Sequence, residues 1–150
     1  LFGFTIPKGL FGSDDNPSLD SGLYAPERSE QTYQRLASLA AQTLANGYPV
    51  IVDATHLKQA QRQLMRDAIE DQGAPCLILH CHAPQASIEQ WLTERQQAGT
   101  DVSDAGIEVM RHQLQEMEPL DADEAALSIR VDTARDSAIS DLSEQLRKRL

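Results

Sequence analysis

The apolar residues of this chain recur with a helical period broken by three short, uninterrupted apolar runs. From about Pro26, a residue suited to a first helical turn, Tyr33, Leu36, Ala40 and Leu44 share one face, and Gly47 marks the stop. A second helix, about Lys58 to Gln72, turns Ala60, Leu64, Ala68 and Ile69 inward and ends at Gly73. Two more, about Gln85 to Ala98 and Asp104 to Glu118, are separated by Gly99-Thr100-Asp101-Val102-Ser103, and Pro119 terminates the second of them. A last helix carries Ile139, Leu142, Leu146 and Leu150 on one stripe, with Arg147, Lys148 and Arg149 at its carboxyl end. Between the helices, Pro49 to Asp53, Cys76 to Cys81 and Ser128 to Asp132 are too short for helices and read as buried strands. The alternation predicts right-handed crossovers and a parallel α/β sheet. Three strands against five helices is a thin sheet, an imbalance that favours missing strands. The first 25 residues, interrupted by Gly3, Pro7, Gly9, Gly12, Pro17 and Gly22, read as loop, and the acidic run Asp121 to Glu124 as a solvated loop.

Composition narrows the function classes. The chain has 150 residues, 41% hydrophobic and 24% charged, enough for one ordinary soluble domain with a core. Its net charge of −10 argues against a broad nucleic-acid surface or an anionic membrane footprint, which need clustered Lys and Arg. A small phosphorylated ligand is still compatible, because a few local arginines suffice. Cys76 and Cys81 lie in one extended run, too far apart to bridge, so reduced thiols and a cytoplasmic location are expected. No apolar stretch approaches the roughly 18 residues of a membrane span, and no signal peptide opens the chain. Leu1 is not an initiator methionine, which missing upstream sequence would explain and clipping or processing would explain equally well.

Val50-Ile51-Val52-Asp53-Ala54-Thr55 is the most informative stretch. A buried parallel strand ending there delivers a carboxylate and a hydroxyl to the sheet's carboxyl edge, where open α/β sheets bind ligands. Asp53 suits a magnesium-bound water or an acceptor hydroxyl, since hard cations prefer carboxylate oxygen and a general base needs a proton-accepting group. The plainer alternative is a strand-end Asp capping the next turn. Thr55 suits phosphate or substrate, or a cap for the helix that follows. Arg62, in the first turns of that helix, suits a substrate phosphate as well as it suits solvent. His80-Cys81-His82 has three metal-capable side chains, but neighbours on a strand point to opposite faces and do not share one ion. Trp91, with Ile88, Leu92 and Arg95 at helical spacing, reads as core packing. The phosphate loop G-x-x-x-x-G-K-[ST] occurs nowhere in the chain.

The ordered set Tyr24-Ala25-Pro26-Glu27, Tyr33, Gly47 to Leu57, Arg62, Cys81-His82-Ala83-Pro84, Gly99 to Ala105 and Val131-Asp132-Thr133 resembles the later part of P-loop kinase-like ATP-binding domains. That group includes kinases related to zeta-toxins and polynucleotide 5′-kinases, and domains fused to aminoglycoside-phosphotransferase-like proteins. The resemblance runs over most of residues 20 to 135. It implies a three-layer P-loop NTPase-type α/β fold with a parallel sheet, incomplete because the N-terminal strands are missing, and residues 1–150 as the carboxyl-terminal part of one such domain.

The resemblance further implies transfer of the ATP γ-phosphoryl group, with Mg2+, to a small-molecule or nucleic-acid-end hydroxyl acceptor. In this reading Asp53 serves the metal through water or acts on the acceptor. Arg62 and Thr55 contact phosphate or substrate, and Arg95 belongs to a closing lid whose second arginine position holds Gln90. Asp132 and Thr133 close around the base end of the nucleotide, while Tyr24 and Arg28 help to build the acceptor surface. Asp101 and Ser103 belong to the lid turn, with Ser103 a helix cap, and Arg111 and Gln113 lie on the helix that follows. Without a phosphate loop the isolated chain is expected to be inert, since clamping the β and γ phosphates carries most of the acceleration in phosphoryl transfer. A fusion or partner chain would then supply the missing strands. Two other readings stand: a non-catalytic interaction module built on a nucleotide-binding fold, and an ATPase switch without an acceptor.

Overall fold

The structure, a computed structural model, describes residues 26–98 and 107–149. Its elements follow the order α1 (Pro26–Ala45), α2 (Gln59–Glu70), β1 (Ile78–His82), α3 (Gln85–Ala98), α4 (Ile107–Glu116), α5 (Ala122–Ala126), β2 (Ser128–Asp132) and α6 (Ala138–Arg149). They fall into two compact units, Leu1–Pro75 with Gln115–Glu118, and Cys76–Leu114 with Pro119–Leu150.

In the first unit, α1 packs on α2. Ala37, Ala40 and Met65 form the buried centre, flanked by Leu36, Val50, Val52, Leu64, Ala68 and Ile69. Both helices stop as their glycines predict. Gly47 and Gly73 take φ of 79° and 65°, left-handed values that a side chain would strain. Tyr48 N then donates to Thr43 O and Ala74 N to Ile69 O, which occupies carbonyls the helix ends would leave open.

Two expectations for this unit are corrected. The run Pro49 to Asp53 is extended and alternates in exposure, with Val50 and Val52 turned to the core and Ile51 86% exposed, but it joins no ladder among the described residues. An extended chain becomes a strand only through a hydrogen-bonded neighbour, and the described residues of its unit supply two helices and no strand. On α2, Leu64, Ala68 and Ile69 pack against the core as expected, but the inward face starts later than expected. Arg62 and Met65 are its buried residues, and Ala60 is exposed.

The second unit carries a small parallel sheet, so the chain is a mixed α/β protein. β1 pairs with β2 from Ile78↔Ser128 to His82↔Asp132, in parallel. Burial in β2 alternates, with Ile129 and Val131 buried where α5 and α6 pack against the strand.

The acidic run is not a solvated loop. Asp121 caps α5, its Oδ1 accepting from Glu124 N at 2.8 Å, and Glu124 returns Oε2 to Asp121 N at 3.0 Å while being fully buried. This is a capping box, legible in the spacing D-x-x-E. Trp91 departs from the core reading too, being 39% exposed on a helix that has no buried residue. On α6, Ile139 is 80% exposed, so only Leu142 and Leu146 of the expected stripe turn partly inward among the described residues.

Candidate functional site

The residues following Val52 form a tightly bonded turn ahead of α2. Tyr33, projecting from α1, has its hydroxyl 3.1 Å from Thr55 Oγ1 and accepts from His56 N at 2.9 Å. The Tyr33 and His56 rings lie 5.1 Å apart, tilted at 53°. His56 has φ of 45°, a left-handed value that costs energy in a residue other than glycine and persists only where its surroundings impose it.

Arg62 does much of the imposing. Its side chain is buried, and Nη1 donates to the carbonyls of His56 at 3.1 Å, Leu57 at 3.2 Å and Glu118 at 3.2 Å. The solvated alternative for Arg62 is thereby excluded. Asp53 is exposed at the mouth of this turn, and Thr55 is exposed beside it.

The electrostatics follow from this crowding. Burial pushes the His56 imidazole below its ordinary 6.5, the Arg62 guanidinium pushes it further down, and Asp53 pulls it back up. His56 Nδ1 is buried with no hydrogen-bond partner. Beyond the turn, Lys58 Nζ meets Glu116 at 2.8 Å and Glu118 at 3.9 Å. The hydrogen bond that Lys58 donates to Glu116 holds that ammonium above its usual range.

In the second unit, Asp132 and Thr133 lie where β2 ends. Thr133 donates both N–H, at 2.9 Å, and Oγ1, at 3.1 Å, to the His82 carbonyl, which extends the sheet by one residue. Asp132 Oδ1 accepts from Ala134 N at 3.1 Å. Beside them, His82, Arg130, Asp132, Arg135, Asp141 and Leu142 line an open hollow of about 350 Å³. Arg135 reaches Asp141 at 3.7 Å across it. Arg95 is in the last turn of α3 and exposed, and Arg111 pairs with Glu89 at 3.2 Å. His80 and His82 share one face of β1, their rings 6.5 Å apart, with Cys81 between them in sequence. Tyr24, the side chain of Arg28 and the turn with Asp101 and Ser103 lie outside the described residues.

The turn and the hollow together set the context for a comparison with known families. The profile of a family described as AAA domain matches residues 5–120. The chain belongs to this AAA domain family. No curated protein and no solved structure matches it. In this AAA-domain chain, as in its family, the fold is of the P-loop NTPase kind and points to nucleotide binding. The matched residues contain no G-x-x-x-x-G-K-[ST] run, so the backbone cradle for phosphates is not among them.

A magnesium ion has a partial fit. Asp53 and Thr55 present hard oxygen donors suited to Mg2+ held through water, but no cluster of three His, Cys, Asp or Glu able to hold a metal exists among the described residues. No described helix is long and apolar enough to cross a membrane.

Sequence reasoning singled out Asp53, Thr55 and Arg62, and the structure sets all three on or against one turn. It gave no role to Glu118, and it named Tyr33 and His56 within the family-like set without assigning either to the site. A β-branched residue and a histidine following a strand-end Asp give no warning that a tyrosine 22 residues earlier will bind the turn.

Proposed function

We propose that this AAA-domain chain carries the acceptor side and the base end of an ATP-dependent phosphotransferase that acts on a hydroxyl. The observation that carries the reading is the Asp53–Thr55 turn, in which an exposed carboxylate and hydroxyl stand on backbone made rigid by Tyr33 and the buried Arg62. Rigid presentation is what a general base requires. Asp53 takes the acceptor hydroxyl proton as the oxygen bonds to the γ-phosphorus and the bond to the β-phosphate oxygen breaks, releasing ADP.

Arg62 orders the turn, so its contribution to phosphate is through Thr55 and the backbone it holds. Arg95 neutralises charge on the phosphates, and the hollow beside Asp132 and Thr133 takes the base. Tyr24 and Arg28 belong to the acceptor surface. Mg2+, when bound, supplies charge neutralisation on the phosphates, with Asp53 holding it through water. The acceptor is a small molecule or a nucleic-acid end. A phosphate loop is supplied by further sequence of the same polypeptide or by a partner chain.

The test is a melt of the chain with and without Mg-ATP, followed by assay of label transfer from γ-labelled ATP to hydroxyl acceptors. A native-state ligand at 100 times its Kd raises stability by about 2.7 kcal/mol. A rise in Tm, with Asp53→Asn abolishing transfer in the polypeptide that also holds a phosphate loop, supports the reading. No shift and no transfer even in that polypeptide overturns it.

One observation favours a second reading, that of a non-catalytic interaction module. Ile51 and Tyr48 are 86% and 67% exposed on an extended run with no ladder neighbour among the described residues. Such a run suits pairing with a strand of another protein. Binding of a partner that survives Asp53→Asn and ignores Mg-ATP would favour it.

A further inference from the structure

We infer that Glu118 is a positioning residue, whose carboxylate anchors to the start of α2 the backbone N–H and carbonyl that fix the turn between Asp53 and α2. The inference rests on the reading that the Asp53 turn faces the acceptor.

Helix α2 starts without an ordinary cap. Its N-cap residue is Lys58, whose side chain has no acceptor atom and makes no capping bond. Gln61 Oε1 accepts from Lys58 N at 3.1 Å, which provides one half of a capping box. A further first-turn donor is met from a distance of 59 residues, where Glu118 Oε2 accepts from Gln59 N at 2.6 Å. A carboxylate at this place also meets the positive end of the helix dipole.

Glu118 does more than cap. Its N–H donates to Leu57 O at 2.9 Å, and its carbonyl accepts from Arg62 Nη1 at 3.2 Å. The same Nη1 holds the His56 and Leu57 carbonyls. Glu118, Leu57 and Arg62 thus close a ring of hydrogen bonds around the point where His56 adopts its left-handed φ of 45°. An isolated turn would relax from that value toward the ordinary regions. His56 N in turn donates to Tyr33, and Tyr33 meets Thr55, so the chain of contacts runs from Glu118 to the hydroxyl beside Asp53.

A surface acid that merely neutralised Lys58 would not show this pattern. Glu116 is the better partner for Lys58, at 2.8 Å against 3.9 Å. Glu118 is therefore not needed for that charge pair, and its short bond goes to backbone.

Amide hydrogen exchange and NMR of the chain, with no nucleotide present, test the inference. Glu118→Ala is expected to speed exchange at His56 N and Gln59 N by tenfold or more and to weaken the nuclear Overhauser contact between the Tyr33 and His56 rings. Glu118→Gln, whose side-chain oxygen still accepts from Gln59, is expected to keep both signals, and Glu116→Gln to leave them unchanged. Should Glu118→Ala not fold, Glu118→Asp, one methylene shorter, is read the same way. Unchanged exchange at His56 and an intact ring contact in the Ala or Asp variant, with only Tm lowered, would overturn the inference and leave Glu118 as a helix cap. Because no readout uses ATP or an acceptor, failure of the phosphotransfer reading leaves these signals in place.

Discussion

The turn at residues 53–59, with Arg62 against it, and the hollow beside β2 both use histidine, arginine and aspartate, yet they use them in opposite ways. In the turn, Arg62 is 6% exposed and aims Nη1 at three carbonyls, so the cation serves the backbone. At the hollow, Arg130 and Arg135 are exposed and line open space. Burial decides which arginine is architecture and which is surface, because a buried charge must be met by fixed partners while an exposed one is met by water. The comparison teaches that the turn after Asp53 is held by fixed partners, while the hollow beside β2 is left to solvent.

The sharpest way to break the comparison is to remove each arginine in turn. Arg62→Ala removes a donor shared by the carbonyls of His56, Leu57 and Glu118, of which Leu57 keeps the Glu118 N–H, and is expected to cost about 2–4 kcal/mol in urea unfolding. Arg135→Ala, which removes an exposed ion pair, is expected to stay within about 0.5 kcal/mol. Equal costs would erase the distinction.

Tyr33→Phe comes next. It takes away the acceptor of His56 N and the partner of Thr55, with an expected loss of about 1–2 kcal/mol by the same unfolding measurement. A neutral result would mean that the hydroxyl does not hold the turn.

The pH dependence sharpens the contrast further. His56 in the folded state has its pKa below the unfolded 6.5, through burial first and Arg62 second, against the opposing pull of Asp53. The unfolded chain therefore binds more protons as pH falls below about 6.5, and stability declines in that direction. Urea midpoints measured from pH 7.5 downward are expected to show this decline, and His56→Asn, which tolerates the left-handed φ, to flatten its histidine part.

The smallest effect concerns the extended run. Val52→Ala, on the side packed against the core, is expected to cost about 1 kcal/mol, and Ile51→Ala to be neutral within about 0.5 kcal/mol by thermal melting. A larger cost at Ile51 would show that its face is covered.

Periodicity made much of this legible. The glycine stops of α1 and α2, the span of α3 and the extent of β2 appear where the apolar pattern puts them, because each depends on neighbours close in sequence. The ladder of β1 with β2 also follows, since alternating strands and helices lead to parallel pairing. What stayed hidden depends on distant residues. Pro49 to Asp53 looks like a strand by composition, but composition does not provide the neighbouring chain that makes one. Trp91 looks like core by spacing, but spacing does not provide the surface that would cover it.

The candidate site divides the same way. Asp53 and Thr55 were legible from their place after an apolar run, and Arg62 from its place in the helix. The use of Arg62 was not, because its acceptors include the carbonyl of Glu118, 56 residues on. Glu124 is the instructive exception. Its burial was encoded locally in D-x-x-E and was obscured only by the charge of its neighbours.

The contact between Glu118 and Gln59 also sets an order of events during synthesis. Residues 59 and 118 are separated by 59 positions, which a ribosome adding about 5–20 residues per second covers in roughly 3–12 s. During that interval α1 and α2 exist without the residue that closes their turn. The bond that ties the start of α2 to Glu118 can therefore form only after the chain beyond α4 has been made.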